Sequence, residues 1–426
     1  MRTTVLFATC AIVVQAGTFW SPQRQDLYRP EGEIQRRLRP PKADAFRHEL
    51  NQEPEPNFPR RPGHPPTGFI ALGDSYSAGI GTGFNGTEDA CRRGLHAHSM
   101  LIHEDLVRSE GENKTSFEFL SCTGSTIADL LRDGEAGQIG EFNTTTSADF
   151  ALLSIGGNDL GFFDIMNSCI FRFYSFYSGT CEEALARSDE RIVSRDFELE
   201  LQLAITEILD RVHWERRPWF TITVTGYARF FNEDTAECDD HSLGVWWRGP
   251  KLKRALRRRM NQMVLRVNDN IRQSVDAVNA AFAETKVLFV DYDHAFEGHR
   301  FCEPDVIEPD YSRTETWFFL VGGKDNAEGQ HATPIDLALS SPEAGLAELP
   351  TPWASTRPCS RAARVLVKGQ SDGLCRKTVD ADHGAHPEDM RYVPTSYGQT
   401  FHPRTKGHEA IRDEIYRQWR GAFGGR

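Results

Sequence analysis

A mainly parallel α/β sheet with helices on both faces is the fold that this sequence predicts, and three observations predict it. From residue 68 onward, short strand-like apolar runs alternate with helical patterns, the way a chain lays down parallel strands joined by helical crossovers. Two longer segments repeat apolar residues at helical spacing: Leu199, Leu203 and Leu209 mark one, Leu252, Met260, Val267 and Val275 the other. The first strand-like run, Phe69 to Leu72, stops at Gly73-Asp74-Ser75. That is a sharp polar turn at the carboxyl edge, where open α/β sheets bind ligands.

Two segments of different character precede the domain. Residues 1–16 combine a basic start at Arg2, an apolar run from Val5 to Val14 and Val14-Gln15-Ala16 as a small-residue cleavage site, the layout of a cleavable secretory signal. The run is short for a membrane span. Residues 17–66 are crowded with Pro, Arg, Glu and Gln, a composition that buries too little apolar surface to offset its ordering entropy. They read as a flexible leader or pro-segment. Arg36-Arg37 is the better basic cutting site, because Pro62 hinders cutting after Arg61.

The domain is expected over 67–426, with strands at 68–72, 116–121, 150–155, 219–225 and 286–291. Helices are expected at 196–214, 251–281 and 405–419. Between Cys302 and Pro394 the pattern dissolves into Pro, Gly, Asp and Ser-rich text around one aromatic cluster, Tyr311 to Val321. Loops of that length are uncommon unless functional or disordered, so an insertion near the site is expected at about 303–394.

Composition excludes some functions. The chain has 426 residues, 39% of them hydrophobic, enough for a sizeable core. Lys and Arg total 49 against 61 Asp and Glu, a net charge of -12, so no basic surface is offered to nucleic acid or anionic lipid. Of nine cysteines, Cys10 lies in the signal, and the remaining eight contain no tight Cys-x-x-Cys pair. After a signal peptide an even set favours disulfides over a zinc cage. Asn85-Gly-Thr, Asn113-Lys-Thr and Asn143-Thr-Thr are N-glycosylation sequons that fit a secreted, extracellular protein.

Asp74 and Ser75 are both good helix caps, so a catalytic use of Ser75 requires partners elsewhere. Three stretches supply them. In Cys122-Thr-Gly-Ser-Thr126, Gly124 directly follows a strand and can offer its backbone N–H to a developing oxyanion. In Ile155-Gly-Gly-Asn-Asp159, two glycines permit a tight turn that presents the Asn158 side-chain amide. In Thr400-Phe-His-Pro403, an imidazole stands in a Pro-bounded turn before the last helix.

The order Gly-Asp-Ser, Gly, Gly-Gly-Asn-Asp and Phe-His-Pro resembles the four sequence blocks of the SGNH hydrolases, the GDSL lipases and esterases. The likeness covers roughly residues 68–420, less the insertion. It implies a three-layer α/β/α sandwich with a flavodoxin-like sheet. Ser75 would be the nucleophile and His402 the general base, with the Ser75 amide, Gly124 and Asn158 as oxyanion hole. The implied enzyme is a secreted, cofactor-free and metal-free esterase or lipase acting on a small-molecule, lipid or acylated-carbohydrate ester. A serine hydroxyl needs such a base to attack near neutral pH. Because the base works neutral, activity is expected to fall through the ordinary imidazole range, about pH 6 to 7.

The family often carries an acid three positions before the histidine, and here that position is Gln399. Either a backbone carbonyl near Gln399 orients His402, as in some secreted members, or one of Asp380, Asp382, Glu388 and Asp389 folds back. The missing acid also leaves room for a secreted binding protein that has lost turnover, and an acyl-enzyme can pass its acyl group to another alcohol as an acyltransferase. The likeness is to the secreted disulfide-containing branch, of fungal type. It implies Cys91–Cys122, Cys169–Cys181 and Cys238–Cys302, and by elimination Cys359 would pair with Cys375 inside the insertion, a bridge the family does not generally share. Sequence alone permits on the order of a hundred pairings.

Other signals carry less. Gly81-Thr-Gly-Phe-Asn-Gly86 has the dinucleotide spacing but follows its strand by several residues and contains a sequon. Ser77 replaces the second glycine of Gly-x-Ser-x-Gly, against the larger α/β-hydrolase architecture. His96, His98, His294, His299, His383 and His386 show no metal-binding helix spacing, and His408 reads as packing beside His402. Trp246, Trp247, Tyr311, Trp317, Phe318 and Phe319 either line a substrate surface or pack the insertion.

Overall fold

The computed structural model describes residues 56–83, 88–132, 137–171, 179–244, 249–327 and 395–424. Five strands form one sheet: β1 Gly68–Gly73, β2 Ser116–Phe119, β3 Phe150–Ser154, β4 Thr221–Thr225 and β5 Val287–Val290. They lie in the order β2-β1-β3-β4-β5, and every pairing is parallel. β1 and β3 are buried along their whole length, as strands covered on both faces must be. The expected sheet and all five of its strands are present. The chain reverses direction across the sheet between β1 and β3, and a ligand crevice opens outside the strand ends at such a switch point.

The helices with most of the cover are α1 His98–Glu110, α2 Cys181–Ile192, α3 Arg195–Arg211, α4 Arg254–Asn279 and α5 Thr405–Phe423. α1 packs on α5, and α3 packs on α4. Trp419 of α5 is fully buried on the sheet face that carries Phe150, with ring centroids 4.9 Å apart, and its indole N–H donates to Thr223 Oγ1 at 2.9 Å. A buried tryptophan thus keeps its polar atom paired. Among the described residues no helix is long and apolar enough to cross a membrane.

Phe58, ahead of the expected boundary at 67, is packed into the core. Phe58 is 4% exposed and sits 5.9 Å from the rings of both Tyr416 and Trp419 and 6.4 Å from Phe150. An aromatic that closes this face of the core contributes by area and by ring contact. Phe58→Ala is expected to cost about 3 kcal/mol of unfolding free energy, read as a lower urea midpoint at unchanged slope. An unaltered midpoint would show that the segment adds nothing to the core.

Most of the aromatic cluster of the expected insertion packs, although Tyr311 is exposed. Phe318 and Phe319 are each 1% exposed, and Trp317 stacks on His299 at 3.6 Å. Neither phenylalanine borders the cleft described below. Instead the stretch buttresses the turn before α5. Phe401 N–H donates to Phe319 O, and Phe319 N–H donates to His402 O, both at 2.9 Å. Trp246, Trp247, Asp380, Asp382, Glu388, Asp389, Asn85 and the Cys359–Cys375 pair lie outside the described residues.

Candidate active site

Ser75 stands two residues beyond the end of β1, at the start of the single helical turn Ser75–Ala78. Asp74 caps that turn by accepting from Tyr76 N–H at 3.0 Å. Gly73 has φ of 131°, and a Cβ there would fall 1.9 Å from Ser154 O. Only glycine lets β1 run against β3 and then bend so sharply. The other face of the bend is held by Gln138. Its Oε1 accepts from Gly73 N–H at 2.8 Å, and its Nε2 donates to Gly73 O at 2.9 Å and Ser125 Oγ at 3.0 Å. A side-chain amide here satisfies backbone groups that the strand ladder leaves open at its end.

His402 meets the serine across the mouth of the sheet. Ser75 Oγ and His402 Nε2 are 2.6 Å apart, and both residues are buried. The other ring nitrogen, Nδ1, is 3.2 Å from Thr400 O. A carbonyl only accepts, so Nδ1 carries the proton, and Nε2 is left bare to accept from the serine hydroxyl. Gln399 does not take part: its side chain turns away and donates to Gly323 O at 2.7 Å. Thr400 is the carbonyl beside Gln399 that orients the ring. Burial pushes the imidazole pKa down to about 4, against the partial support of hydrogen bonds involving Thr400 and Gln399.

Asp74 makes no hydrogen bond with His402. It is buried and accepts from the Tyr227 hydroxyl at 3.0 Å, while Tyr227 Oη in turn accepts from Gly157 N–H at 3.1 Å. Burial pushes the Asp74 carboxyl up to about 7, and the hydrogen bonds from Tyr227 and Tyr76 oppose that rise. Tyr227 is itself fixed from α4, where Asn268 accepts from its N–H and donates to its carbonyl, both at 2.8 Å.

Asn158 lines one cleft together with Ser75 and His402. One of its amide hydrogens donates to Ser125 O at 2.9 Å, which fixes its orientation. Gly124, the neighbour of Ser125, has φ of 89° and does not line the cleft wall. The N–H groups of Ser75 and Gly124 have no hydrogen-bond partner among the described residues. Asp159 ties the same two loops together from behind, accepting from Ile127 N–H at 3.0 Å.

Three disulfides join Cys91 to Cys122, Cys169 to Cys181 and Cys238 to Cys302. The first braces the site, because Cys122 N–H also donates to Gly73 O at 3.0 Å. His408 is fully buried against His98, with 3.3 Å between their Nδ1 atoms, and does not line the cleft. Among the described residues no three His, Cys, Asp or Glu side chains converge as a metal site requires. Gln138 and Tyr227 escaped the sequence reading, since each acts through a contact made only in the fold; the Thr400 carbonyl is one of those near Gln399 that the sequence allowed.

A parallel α/β sheet with a hydrogen-bonded serine and histidine at its carboxyl edge has the form of the hydrolases that work through an activated serine. No family model matches the chain. It is 28% identical to Lipase 1 of Streptomyces coelicolor over 236 residues, which is 55% of this chain and 73% of that protein. It is 30% identical to a lipase of Streptomyces rimosus over 166 residues, 39% of this chain and 54% of that protein. Among solved structures, phospholipase A1 from Streptomyces albidoflavus is similar at 25% identity and a TM-score of 0.41, covering 56% of this chain and 84% of that one. These relatives are bacterial, so the fungal-type branch expected from the sequence gains no support.

Proposed function

We propose that this protein is a secreted carboxylic ester hydrolase of the SGNH type, working through an acyl-serine intermediate. The 2.6 Å contact between Ser75 Oγ and His402 Nε2, with Nδ1 on the Thr400 carbonyl, carries the reading. His402 takes the hydroxyl proton as Ser75 Oγ attacks the ester carbonyl carbon, then gives it to the departing alcohol. Water attacks the acyl-Ser75 carbonyl, loses a proton to His402, and releases the acid as Ser75 recovers its proton. The Asn158 amide and the N–H groups of Ser75 and Gly124 serve the oxyanion of each tetrahedral state. The lipase names of the relatives agree with this chemistry.

Secretion is supported by the three disulfides, which persist in oxidising compartments. Asn113 and Asn143 are exposed, as glycan acceptors must be. The direct test is incubation with a p-nitrophenyl phosphonate followed by peptide mapping, alongside turnover of a short p-nitrophenyl ester. Labelling at Ser75 with turnover is the expected result; folded protein that does neither would refute the reading.

The pH dependence separates a buried base from an exposed one. Only neutral His402 accepts the proton, so activity is present above its pKa and lost below it. With the imidazole pushed down to about 4, kcat/KM is expected to hold through the ordinary histidine range and fall near pH 4. This differs from the fall at about 6 to 7 expected from the sequence, and the cause is burial of the ring. Stability must be followed in parallel. His98 is also pushed down to about 4 by burial, so the unfolded chain binds a proton first, and the fold weakens as pH falls from the free imidazole range toward 4. Half-loss of kcat/KM at pH 6 to 7 in fully folded protein would contradict a buried base.

A further inference from the structure

Two compartments open at Ser75, and Phe162 borders both. Both are bordered by Ser75, Asn158, His402 and Phe162. Phe162 follows Gly161, whose φ of 75° turns the chain there, and it meets the His402 ring edge-on at 6.3 Å. One compartment runs toward α4, with Ile165, Met260, Met263, Val264 and Val267 on its walls. Among the described residues no Lys or Arg lines it, and its polar groups away from the reacting pair are few. Tyr227 is one of these, and its hydroxyl is already engaged by Asp74 and Gly157. The other compartment has apolar walls too, including Met166 and Phe171, but adds Asn167, Tyr397 and Thr400.

An ester has two arms, and these walls treat them differently. A glycerol or sugar hydroxyl in the compartment under α4 would lose water against walls that are mostly apolar, with Ser188 among the few polar side chains, which is unfavourable. Each methylene placed there instead gains about fourfold in binding. We propose that the ester straddles Phe162, with an extended acyl chain in the compartment under α4 and the alcohol on the Asn167, Tyr397 and Thr400 side. Phe162 is then the specificity-determining residue that keeps the two arms apart. This rests on the serine esterase reading, since the arms are defined by where Ser75 attacks. It makes long-chain acyl esters of polar alcohols the preferred substrate class, ahead of acetyl esters.

The test compares methyl decanoate with decyl acetate, two esters of similar size whose long arm lies on opposite sides of the reacting carbonyl. Wild-type protein is expected to favour methyl decanoate in kcat/KM by at least about tenfold. In Phe162→Ala the compartments merge, and that preference is expected to shrink toward unity. Phe162→Leu, a gentler change, should retain part of it. Equal rates on the two esters, or a preference for decyl acetate, would overturn the assignment while leaving the esterase reading intact. If neither ester is cleaved and Ser75 resists phosphonate labelling, both fall. The wild-type comparison decides the matter even if neither variant folds.

Discussion

Ser75→Ala is expected to lower kcat by about six orders of magnitude, with the fold unchanged and phosphonate labelling abolished. The magnitude follows from what is lost. Without the hydroxyl there is no acyl intermediate, and the Nε2 atom that now stands 2.6 Å from Ser75 Oγ has no proton to take. A residual rate of about a thousandfold over water is expected from the remaining oxyanion donors and binding groups. The measurement is turnover of a p-nitrophenyl ester at high enzyme concentration, with circular dichroism confirming the fold. Wild-type rates in the variant would mean that another nucleophile carries the reaction.

Asn158→Ala is expected to reduce kcat by about a hundred to a thousandfold, with a much smaller change in KM. The donor acts on charge that develops only as the tetrahedral state forms, so the loss belongs to the transition state. The bond from Nδ2 to Ser125 O at 2.9 Å sets the side chain in place before substrate arrives. Asn158→Asp would be a harsher probe, because a carboxylate would face the oxyanion. A rise in KM at constant kcat would instead make Asn158 a ground-state binding group.

Much of the sheet was legible because buried parallel strands announce themselves. Phe69 to Leu72 and Phe150 to Leu153 are continuous apolar runs covered on both faces. α4 was equally plain, since its apolar residues advance at helical spacing along one side. α1 was not, because His98 and Ser99 occupy buried positions that a hydrophobic pattern leaves blank. The blocks bearing Ser75, Asn158 and His402 could be found by their turns, and the structure brings these three to one cleft. A backbone carbonyl near Gln399 was one of the expected ways to orient His402, but which carbonyl could not be read, because that of Thr400 has no side-chain signature. The depressed pKa of the His402 imidazole was hidden for a similar reason: burial of a ring in a Pro-bounded turn is decided by distant chain.

The turn that carries the histidine has a further consequence. Phe401 adopts a left-handed backbone with φ of 64°, and its carbonyl accepts from the Tyr76 hydroxyl at 2.7 Å. Ser75 and His402 are 327 positions apart, so this clasp closes nearly the whole length of the domain. A chain still emerging from the ribosome can form β1 and its serine turn long before residue 402 exists. On the proposed mechanism the serine has no base until α5 docks, so activity would appear only once the turn bearing His402 has folded against Ser75.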